Sequence, residues 1–446
     1  MEPITRRAAL GAALAVPAAA ALAGTARAAG PTEIELFFPV PVQGMLANKM
    51  RELVDRFNAA HADIKATAVY TGSYDDTNLK TRAAIKAGKP PAAVIMSANF
   101  VREYVINDEV DMFDPLIEKA GKTPDAFMDE FWPALKPNAV IGRRVYGIPF
   151  QNSTPLLYYN VAAFTEAGLD PDHPPASWAD WIAAAKKLAA KMEGGQTQRW
   201  GLMFPGTYDY CGWIVSGLTM SNGGQYFNHD YGGEVYYNAP STLGALSLVD
   251  ALVNRTKVFP PGVSDANACT SAFFAGHTGM MVLSTGSLSF VRENMKTPYR
   301  VAFMPSNLRN AAPIGGASLI LPKGNTPERQ AAAWTLIGWL TSAEIAGEWS
   351  RFTGYFAPRR AAYDLPEMKE YLQQHPEAKV ALDQLQYAVP WFDTYNTVAV
   401  RKAMEDQVQA ILSGKTTPAD AVQTAQKNAD ELLRPYVEQT ALKPPA

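Results

Sequence analysis

The sequence predicts an α/β protein built as two lobes, and three observations support this fold class. After Ile34, segments typical of strands and helices alternate along the chain, which is the pattern of a sheet covered by helices. The chain has 446 residues, more than one hydrophobic core normally holds. Segments of the same kind return near Gly315. We therefore expect two lobes joined by several chain crossings.

The first lobe begins with an alternation of three strands and two helices. Strands are predicted over residues 34–40, 64–70 and 92–96, where β-branched, aromatic or alternating apolar residues are frequent. The helices between them follow the apolar stripe from Leu46 to Phe57 and a second stripe that stops at Gly88. This order predicts a mainly parallel sheet.

The second lobe is predicted from a change in helix start signals after residue 150. Ser177 precedes Asp180 by three residues, which is the pattern of a capping box. Further helices are predicted over residues 397–412 and from Pro418 onward, where proline occupies a first helical position.

These signals divide the chain into discontinuous lobes. We predict that residues 31–149 and about 306–345 form the first lobe, and that residues 150–305 and about 346–440 form the second.

The N-terminus has the features of an export signal. Arg6 and Arg7 precede an apolar run that extends to about Ala23, and small residues around Ala28 offer a cleavage site. Residues 1–28 are therefore predicted to be a signal peptide of the twin-arginine type. The mature protein is expected to be soluble in the periplasm.

The charge and the cysteines exclude several partner classes. The net charge is −3, with 40 basic and 43 acidic residues and no basic run, so nucleic acid and anionic membrane surfaces are poor partners. Cys211 and Cys269 lack the spacing of a metal site. They could form one bridge, although two buried thiols fit better.

Catalytic motifs are absent from the sequence. There is no GxSxG, no HExxH and no GxGxxG after a strand, and the five histidines are scattered. We expect no catalytic residues, no metal and no cofactor.

Arg401 is the most informative single residue. In the predicted helix 397–412 it lies on the apolar stripe, three residues after Val398 and three before Met404. A guanidinium facing a core or a cleft cannot lose its charge and needs a carboxylate, carbonyls or an anionic ligand. The alternatives are an internal salt bridge, a stem that reaches water, or a ligand site.

Several short stretches combine aromatic, hydroxyl and glycine residues. Each alone is typical of a turn, but together they are the groups that bind a polar ligand. They are Gly72-Ser73-Tyr74, Asn152-Ser153-Thr154, Ser284-Thr285-Gly286-Ser287, Gly315-Gly316-Ala317-Ser318 and Thr353-Gly354-Tyr355.

Six longer stretches provide a resemblance to a known family. They are PFQNSTPLLYYN, AGLDPDHPPASWADW, STGSLSFVRE, IGGASL, TGYFAPRRAAYD and SGKTTPADA. In this order, and over about residues 34–436, the chain resembles the glycerol-3-phosphate-binding members of family 1 of the extracellular solute-binding proteins. The resemblance implies a type II binding-protein fold, similar to maltose-binding proteins, with a ligand cleft that closes between two lobes.

The resemblance also implies a ligand site. Tyr74 would pack on or hydrogen-bond the ligand, Ser153 and Ser284 would donate hydroxyls, Gly316 would present its N–H, Tyr355 its phenol, and Arg401 would clamp a phosphate. Trp213 matches one of two pocket tryptophans of the family, and Tyr210 stands at the other. Ala98 replaces a glutamate that holds glycerol hydroxyls in the family.

These departures favour a substituted ligand over free glycerol 3-phosphate. A glycerophosphodiester such as glycerophosphocholine, whose choline could lie on Trp213 or Tyr210, or another anionic polyol is implied. The implied role is the substrate-binding subunit of an ABC importer, a monomer that captures sn-glycerol 3-phosphate or a glycerophosphodiester and delivers it to a membrane permease.

Two alternatives stay open. An importer subunit for a neutral sugar or oligosaccharide would leave the Arg401 guanidinium uncompensated. An exported glycerophosphodiesterase would need metal ligands or a nucleophile with a base, and neither is visible.

Overall fold

A computed structural model describes residues 30–39, 45–191 and 197–441. The predicted signal peptide and Val40 lie outside this part of the chain. Within it, the strands in chain order are β1 (Thr32–Pro39), β2 (Ile64–Gly72), β3 (Ala93–Ser97), β4 (Val110–Asp111), β5 (Val140–Ile141), β6 (Arg144–Val145), β7 (Ile148–Ser153), β8 (Pro155–Asn160), β9 (Ala190–Lys191), β10 (Thr197–Met203), β11 (Thr278–Ser284), β12 (Tyr299–Ala302), β13 (Ala312–Pro313), β14 (Gly315–Pro322) and β15 (Ala388–Val389).

Helices connect and cover these strands. They are α1 (Met45–Ala60), α2 (Tyr74–Lys86), α3 (Val101–Ile106), α4 (Asp114–Lys119), α5 (Pro124–Met128), α6 (Val161–Glu166), α7 (Trp178–Leu188), α8 (Tyr210–Ser221), α9 (Pro240–Asp250), α10 (Ala266–Phe274), α11 (Leu288–Asn294), α12 (Pro327–Leu340), α13 (Ala343–Thr353), α14 (Pro366–Gln374), α15 (Pro376–Gln384), α16 (Thr397–Leu412) and α17 (Pro418–Thr440). Short 3-10 turns cover Ala98–Phe100, Pro133–Leu135, Thr285–Ser287, Arg360–Asp364 and Leu385–Tyr387, and a π turn covers Ala251–Arg255.

The predicted helix starts are confirmed. Ser177 precedes α7, and its hydroxyl accepts the N–H of Asp180 at 3.1 Å, as expected of an N-cap. Helix α17 begins at Pro418 after the N-cap Thr417. Helix α16 covers the predicted residues 397–412.

The first sheet has the strand order β2-β1-β3-β14-β4, and β7 also pairs with β14. Strand β1 is parallel to β2 and β3, but β14 is antiparallel to β3, β4 and β7. The prediction of a mainly parallel sheet is therefore wrong beyond β3. The reason is that the chain returns from the second sheet, so β14 runs opposite to β1 and β3.

The second sheet has the strand order β12-β8-β11-β10-β9. Strands β10 and β11 are parallel, whereas β8 is antiparallel to both β11 and β12. Helix α7 packs on β10, where Gly201 allows close approach, because a Cβ at Gly201 would lie 2.0 Å from the carbonyl oxygen of Ala185.

Each sheet has its own hydrophobic core. The first core combines β1, α1, β14 and α12 through residues such as Leu36, Phe57 and Leu336. The second combines α7, β10, α8, α16 and α17, with Trp181 and Met404 fully buried. Separate cores with separate sheets make the α/β architecture two-lobed.

The chain passes between the cores at three places. Thr154 alone separates β7 from β8, residues 303–314 lead from β12 to β14, and Tyr355 of the first core is followed by Phe356, which packs on the second sheet. Strand β7 thus runs to Ser153, and the first core reaches Tyr355, both past the predicted limits 149 and 345. The exact lobe limits stay predictions.

Cys211 and Cys269 are both free and buried, so the expectation of two buried thiols is confirmed. Among the helices of residues 30–39, 45–191 and 197–441, none is long and apolar enough to cross a membrane.

We expect Gly201→Ala to destabilise the fold by about 1–3 kcal/mol, because the new methyl would overlap the backbone of α7. The control is Gly338→Ala in the exposed part of α12, where nothing lies within 4 Å of the added Cβ. That change should stabilise by about 0.5–1 kcal/mol. Thermal unfolding measures both, and a Gly201→Ala variant as stable as the parent would contradict the packing described.

Candidate ligand-binding site

A cavity of about 200 Å³ lies between the two cores. Its walls come from the start of α2, the end of β7, the start of α8, the end of β11 and the start of β14. The lining residues are Ser73, Tyr74, Ser153, Thr207, Tyr208, Asp209, Tyr210, Trp213, Ser284, Gly315, Gly316, Tyr355 and Trp391. Both lobes therefore contribute, which is a common location for small-molecule sites.

Six of the seven predicted site residues meet in this cavity. They are Tyr74, Ser153, Trp213, Ser284, Gly316 and Tyr355. The seventh, Arg401, is not among the lining residues. Ala98, which the resemblance placed at the glycerol end, is 1% exposed within a 3-10 turn and does not line the cavity either.

Two tyrosines from the first lobe form one side of the cavity. Gln151 donates from Nε2 to the Tyr74 hydroxyl at 3.1 Å. Burial raises the pKa of the Tyr74 phenol to about 12, and burial also raises the pKa of Tyr355 well above its usual value. Both phenols are therefore neutral near pH 7 and can donate hydrogen bonds without carrying charge.

Three aromatic rings from the second lobe also line the cavity. The ring centroid of Trp213 lies 6.2 Å from that of Tyr210, at an interplanar angle of 72°, and 6.4 Å from that of Trp391. Trp213 donates from Nε1 to the carbonyl oxygens of Pro313 and Ile314, at 3.1 and 3.3 Å. These bonds hold the indole in place at the edge of the cavity.

The glycine pair at the start of β14 leaves room for groups that pack against the backbone at this wall. A Cβ at Gly315 would lie 2.8 Å from a ring atom of Trp213, and a Cβ at Gly316 would lie 1.9 Å from the carbonyl oxygen of Gln151. Gly316 also has a φ of +83°, which favours glycine. A bulky residue at Gly316 is therefore expected to disturb folding directly, since the clash is with backbone.

The serine hydroxyls have different surroundings. Ser284 ends β11, and its Oγ accepts the N–H of Gly286 at 3.1 Å, which caps a short 3-10 turn. Ser153 ends β7 and pairs with Gly315 across the sheet. Both serines line the cavity, and a serine hydroxyl has a donor hydrogen that can serve a ligand oxygen.

Arg401 is held by three carboxylates. It is 3% exposed and donates from Nη2 to Asp75 Oδ2 at 3.1 Å, from Nε to Glu405 Oε2 at 3.2 Å, and from Nη1 to Asp209 Oδ1. Asp75 belongs to the first lobe, and the other three residues belong to the second. Of the alternatives left open by the sequence, the structure shows the internal salt bridge.

Sequence reasoning missed the acids around Arg401. Asp209 precedes α8 in the manner of an N-cap, but its side chain caps nothing. Instead, its N–H donates to Glu405 Oε1 at 2.8 Å. Glu405 follows Arg401 by four residues, which is the spacing of a helical ion pair. Asp75 follows Tyr74 without any distinctive motif, so only the need of a buried guanidinium for counter-ions pointed to it.

Because Arg401 is paired with three carboxylates, a mutation of Arg401 would lower the stability of the protein. Truncation to alanine would leave three carboxylates without their cation, and breaking a buried pair costs about 3–5 kcal/mol. Arg401→Ala is therefore expected to destabilise the protein, because the residue also joins the lobes.

Glycine substitutions test the wall described above. We expect Gly316→Ala to lower the melting temperature far more than Gly121→Ala. Gly121 has a φ of +82°, similar to Gly316, but nothing lies within 4 Å of its added Cβ. The control therefore isolates the backbone strain, about 1–2 kcal/mol, from the clash with Gln151. Equal shifts for the two variants would show that the close approach is absent.

The buried carboxyl of Glu405 predicts a pH dependence. Burial, with a smaller contribution from Asp75, raises the pKa of Glu405 to about 7, above its unfolded value. The folded state then binds the proton more tightly, so this stabilising contribution is complete below the unfolded pKa and is lost as pH rises through about 7. Glu405→Gln should remove that loss.

Melting temperatures from about pH 4 to about pH 8 provide the measurement. The melting temperature of the Glu405→Gln variant should change less over this pH window than that of the parent. Glu431→Gln, at an exposed position on α17, is the matched control and should show the parental pH profile. If Glu405→Gln keeps the parental slope, proton binding at Glu405 does not contribute.

Comparisons with known proteins agree with this architecture. A family model described as bacterial extracellular solute-binding protein matches residues 52–380. The sn-glycerol-3-phosphate-binding periplasmic protein UgpB of Escherichia coli K12 is 29% identical over 423 residues, covering 90% of this chain and 92% of that protein. The Yersinia pseudotuberculosis protein of the same name is 29% identical over 437 residues, covering 92% and 94%.

Solved structures show the same fold. UgpB from Mycobacterium tuberculosis in complex with glycerophosphocholine superposes with a TM-score of 0.79 at 24% identity, covering 92% of this chain and 99% of that one. The maltotriose-bound MalE domain from Bdellovibrio bacteriovorus gives 0.76 at 19% identity, covering 90% and 100%. The predicted two-lobed binding-protein fold is confirmed, and since the family model spans most of its length, the chain belongs to the bacterial extracellular solute-binding proteins.

Proposed function

We propose that this protein is the substrate-binding subunit of an ABC importer that captures a glycerophosphodiester in the periplasm and delivers it to a membrane permease. It acts as a monomer and performs no chemistry on its ligand. One observation supports this most: the inter-lobe cavity combines hydroxyl donors with a wall of aromatic rings. Such a site binds a small polar ligand that also has apolar carbon faces.

The size of the cavity favours a small ligand. Its volume of about 200 Å³ lies below the range of about 300–1,000 Å³ that is usual for drug-sized ligands. A glycerol derivative suits this space better than an oligosaccharide does.

The charges favour a diester over glycerol 3-phosphate. The guanidinium of Arg401 is already shared by Asp75, Asp209 and Glu405, so a doubly charged phosphomonoester would find no free cation there and would meet nearby carboxylates. A phosphodiester has one negative charge, which neutral donors such as Ser153 and Tyr74 can accommodate. The names of the relatives point to the same class of glycerol phosphates.

A neutral sugar is the second candidate. The argument that a sugar leaves Arg401 uncompensated does not hold in the structure, because carboxylates compensate it. Aromatic rings such as Trp213 and Trp391 can also pack against sugar carbon faces. Calorimetry with several ligands therefore has to separate the two.

We expect isothermal titration to show saturable binding of glycerophosphocholine, weaker binding of glycerol 3-phosphate and no binding of maltose. Binding of maltose alone would replace the proposal with the sugar candidate. Prolonged incubation with glycerophosphocholine should release no choline, because a binding subunit returns its ligand unchanged.

Ser153→Ala tests the hydroxyl side of the site. It should weaken glycerophosphocholine binding about tenfold, since a hydrogen bond contributes about 0.5–1.5 kcal/mol and more when a charged oxygen accepts it. Ser271→Ala, on the exposed face of α10, is the matched control and should bind as the parent does. Unchanged affinity in Ser153→Ala would remove this hydroxyl from the site.

A further inference from the structure

Asp209 is an acidic residue in an aromatic wall. Asp209 lines the cavity, as do its sequence neighbours Tyr208 and Tyr210. Its backbone φ of +73° lies in the left-handed region. Few residues other than glycine adopt this conformation, although aspartate and asparagine tolerate it better than most. Such a conformation persists where the surroundings hold it.

Asp209 has a partly exposed side chain at the cavity, while neighbouring residues hold both its backbone and its carboxylate. Its N–H is held by Glu405 Oε1 at 2.8 Å, and its carboxylate accepts from Arg401. The side chain of Asp209 is 26% exposed, whereas that of Arg401 is 3% exposed. A ligand in the cavity therefore meets the acid, with the guanidinium behind it.

The charge of Asp209 is only partly balanced. Arg401 has one positive charge and is shared with Asp75 and Glu405 as well. Lys402 lies nearby, but its Nζ sits 3.4 Å from the ring centroid of Tyr208. The acids thus outnumber the cation that pairs with them, and a ligand cation beside Asp209 would be stabilised.

The rings next to Asp209 suit the same ligand group. Tyr210, Trp213 and Trp391 stand side by side in the cavity. The face of an aromatic ring attracts cations, most strongly in tryptophan, and a group of such faces binds quaternary ammonium ions.

We propose that Asp209, with Tyr210, Trp213 and Trp391, binds a cationic head group, and that Asp209 thereby selects diesters of choline or ethanolamine from other glycerophosphodiesters. This inference rests on the proposed function and specifies its substrate class. The phosphate lies against the hydroxyls of Ser153 and Ser284, and the ammonium lies against the acid and the rings. The ligand is then zwitterionic, with no net charge to transfer into the cavity.

Calorimetry with matched ligands tests the proposal. Glycerophosphocholine and glycerophosphoethanolamine have cationic head groups, whereas glycerophosphoglycerol has the same diester with a neutral one. The parent protein should bind glycerophosphocholine at least about tenfold more tightly than glycerophosphoglycerol. Asp209→Asn keeps the size and tolerates the left-handed conformation, and it should lose most of that preference.

Two further variants separate charge from folding. Asp209→Gly removes the carboxylate at a φ that glycine adopts readily, so it should fold and show the same selective loss. Asp108→Asn changes an acid that also has a positive φ, of 56°, and pairs with Lys323 outside the cavity. This control should keep the parental preference.

The outcomes are distinguishable. A weaker affinity for glycerophosphocholine with glycerophosphoglycerol unchanged within about twofold supports the role of Asp209. Equal losses for both diesters, or no loss, overturn it. If the parent binds both diesters equally well, the inference fails while the proposed function stands. If the parent binds no diester, the proposed function fails as well.

Discussion

The ion cluster around Arg401 is the interaction on which the arrangement of the site depends. A guanidinium keeps its charge at any physiological pH, and this one is almost completely buried. It therefore holds Asp75 of α2, Asp209 before α8 and Glu405 of α16 within hydrogen-bonding distance. Because α2 belongs to the first lobe and the others to the second, the same cluster that stabilises the guanidinium also brings the two walls of the cavity together.

That cluster also determines which chemistry the cavity offers. With the guanidinium occupied, the side chains that line the cavity offer neutral hydroxyls, aromatic rings and one carboxylate. Burial raises the pKa of Tyr74 to about 12, so the phenols add donors and no charge. A site of this composition favours ligands in which a negative group is balanced by a positive one, since any net charge would have to be desolvated without compensation.

Glycines and a short backbone connection also help to position the residues of the cavity. Gly315 makes room for the Trp213 ring, and Gly316 allows β14 to approach the carbonyl oxygen of Gln151. Thr154 joins the sheets as a single residue, and Gln384 donates from Nε2 to its hydroxyl at 2.9 Å. A short, hydrogen-bonded connection of this kind brings the end of β7 and the start of β8 close to the cavity.

Local features were accessible from the sequence because they depend on neighbours along the chain. Periodicity located β1 to β3, capping located the start of α7, and the apolar stripe of α16 showed that Arg401 is buried. The resemblance to known proteins added six residues that do line the cavity.

Other features depend on residues that folding brings together. Asp75 and Asp209 lie 326 and 192 residues from Arg401, and the direction of β14 and the Gly316 contact with Gln151 arise only once the chain has returned to the first sheet. No local pattern encodes such distances, so the sequence showed that Arg401 needed counter-ions, and only the packed lobes showed that the protein itself supplies them.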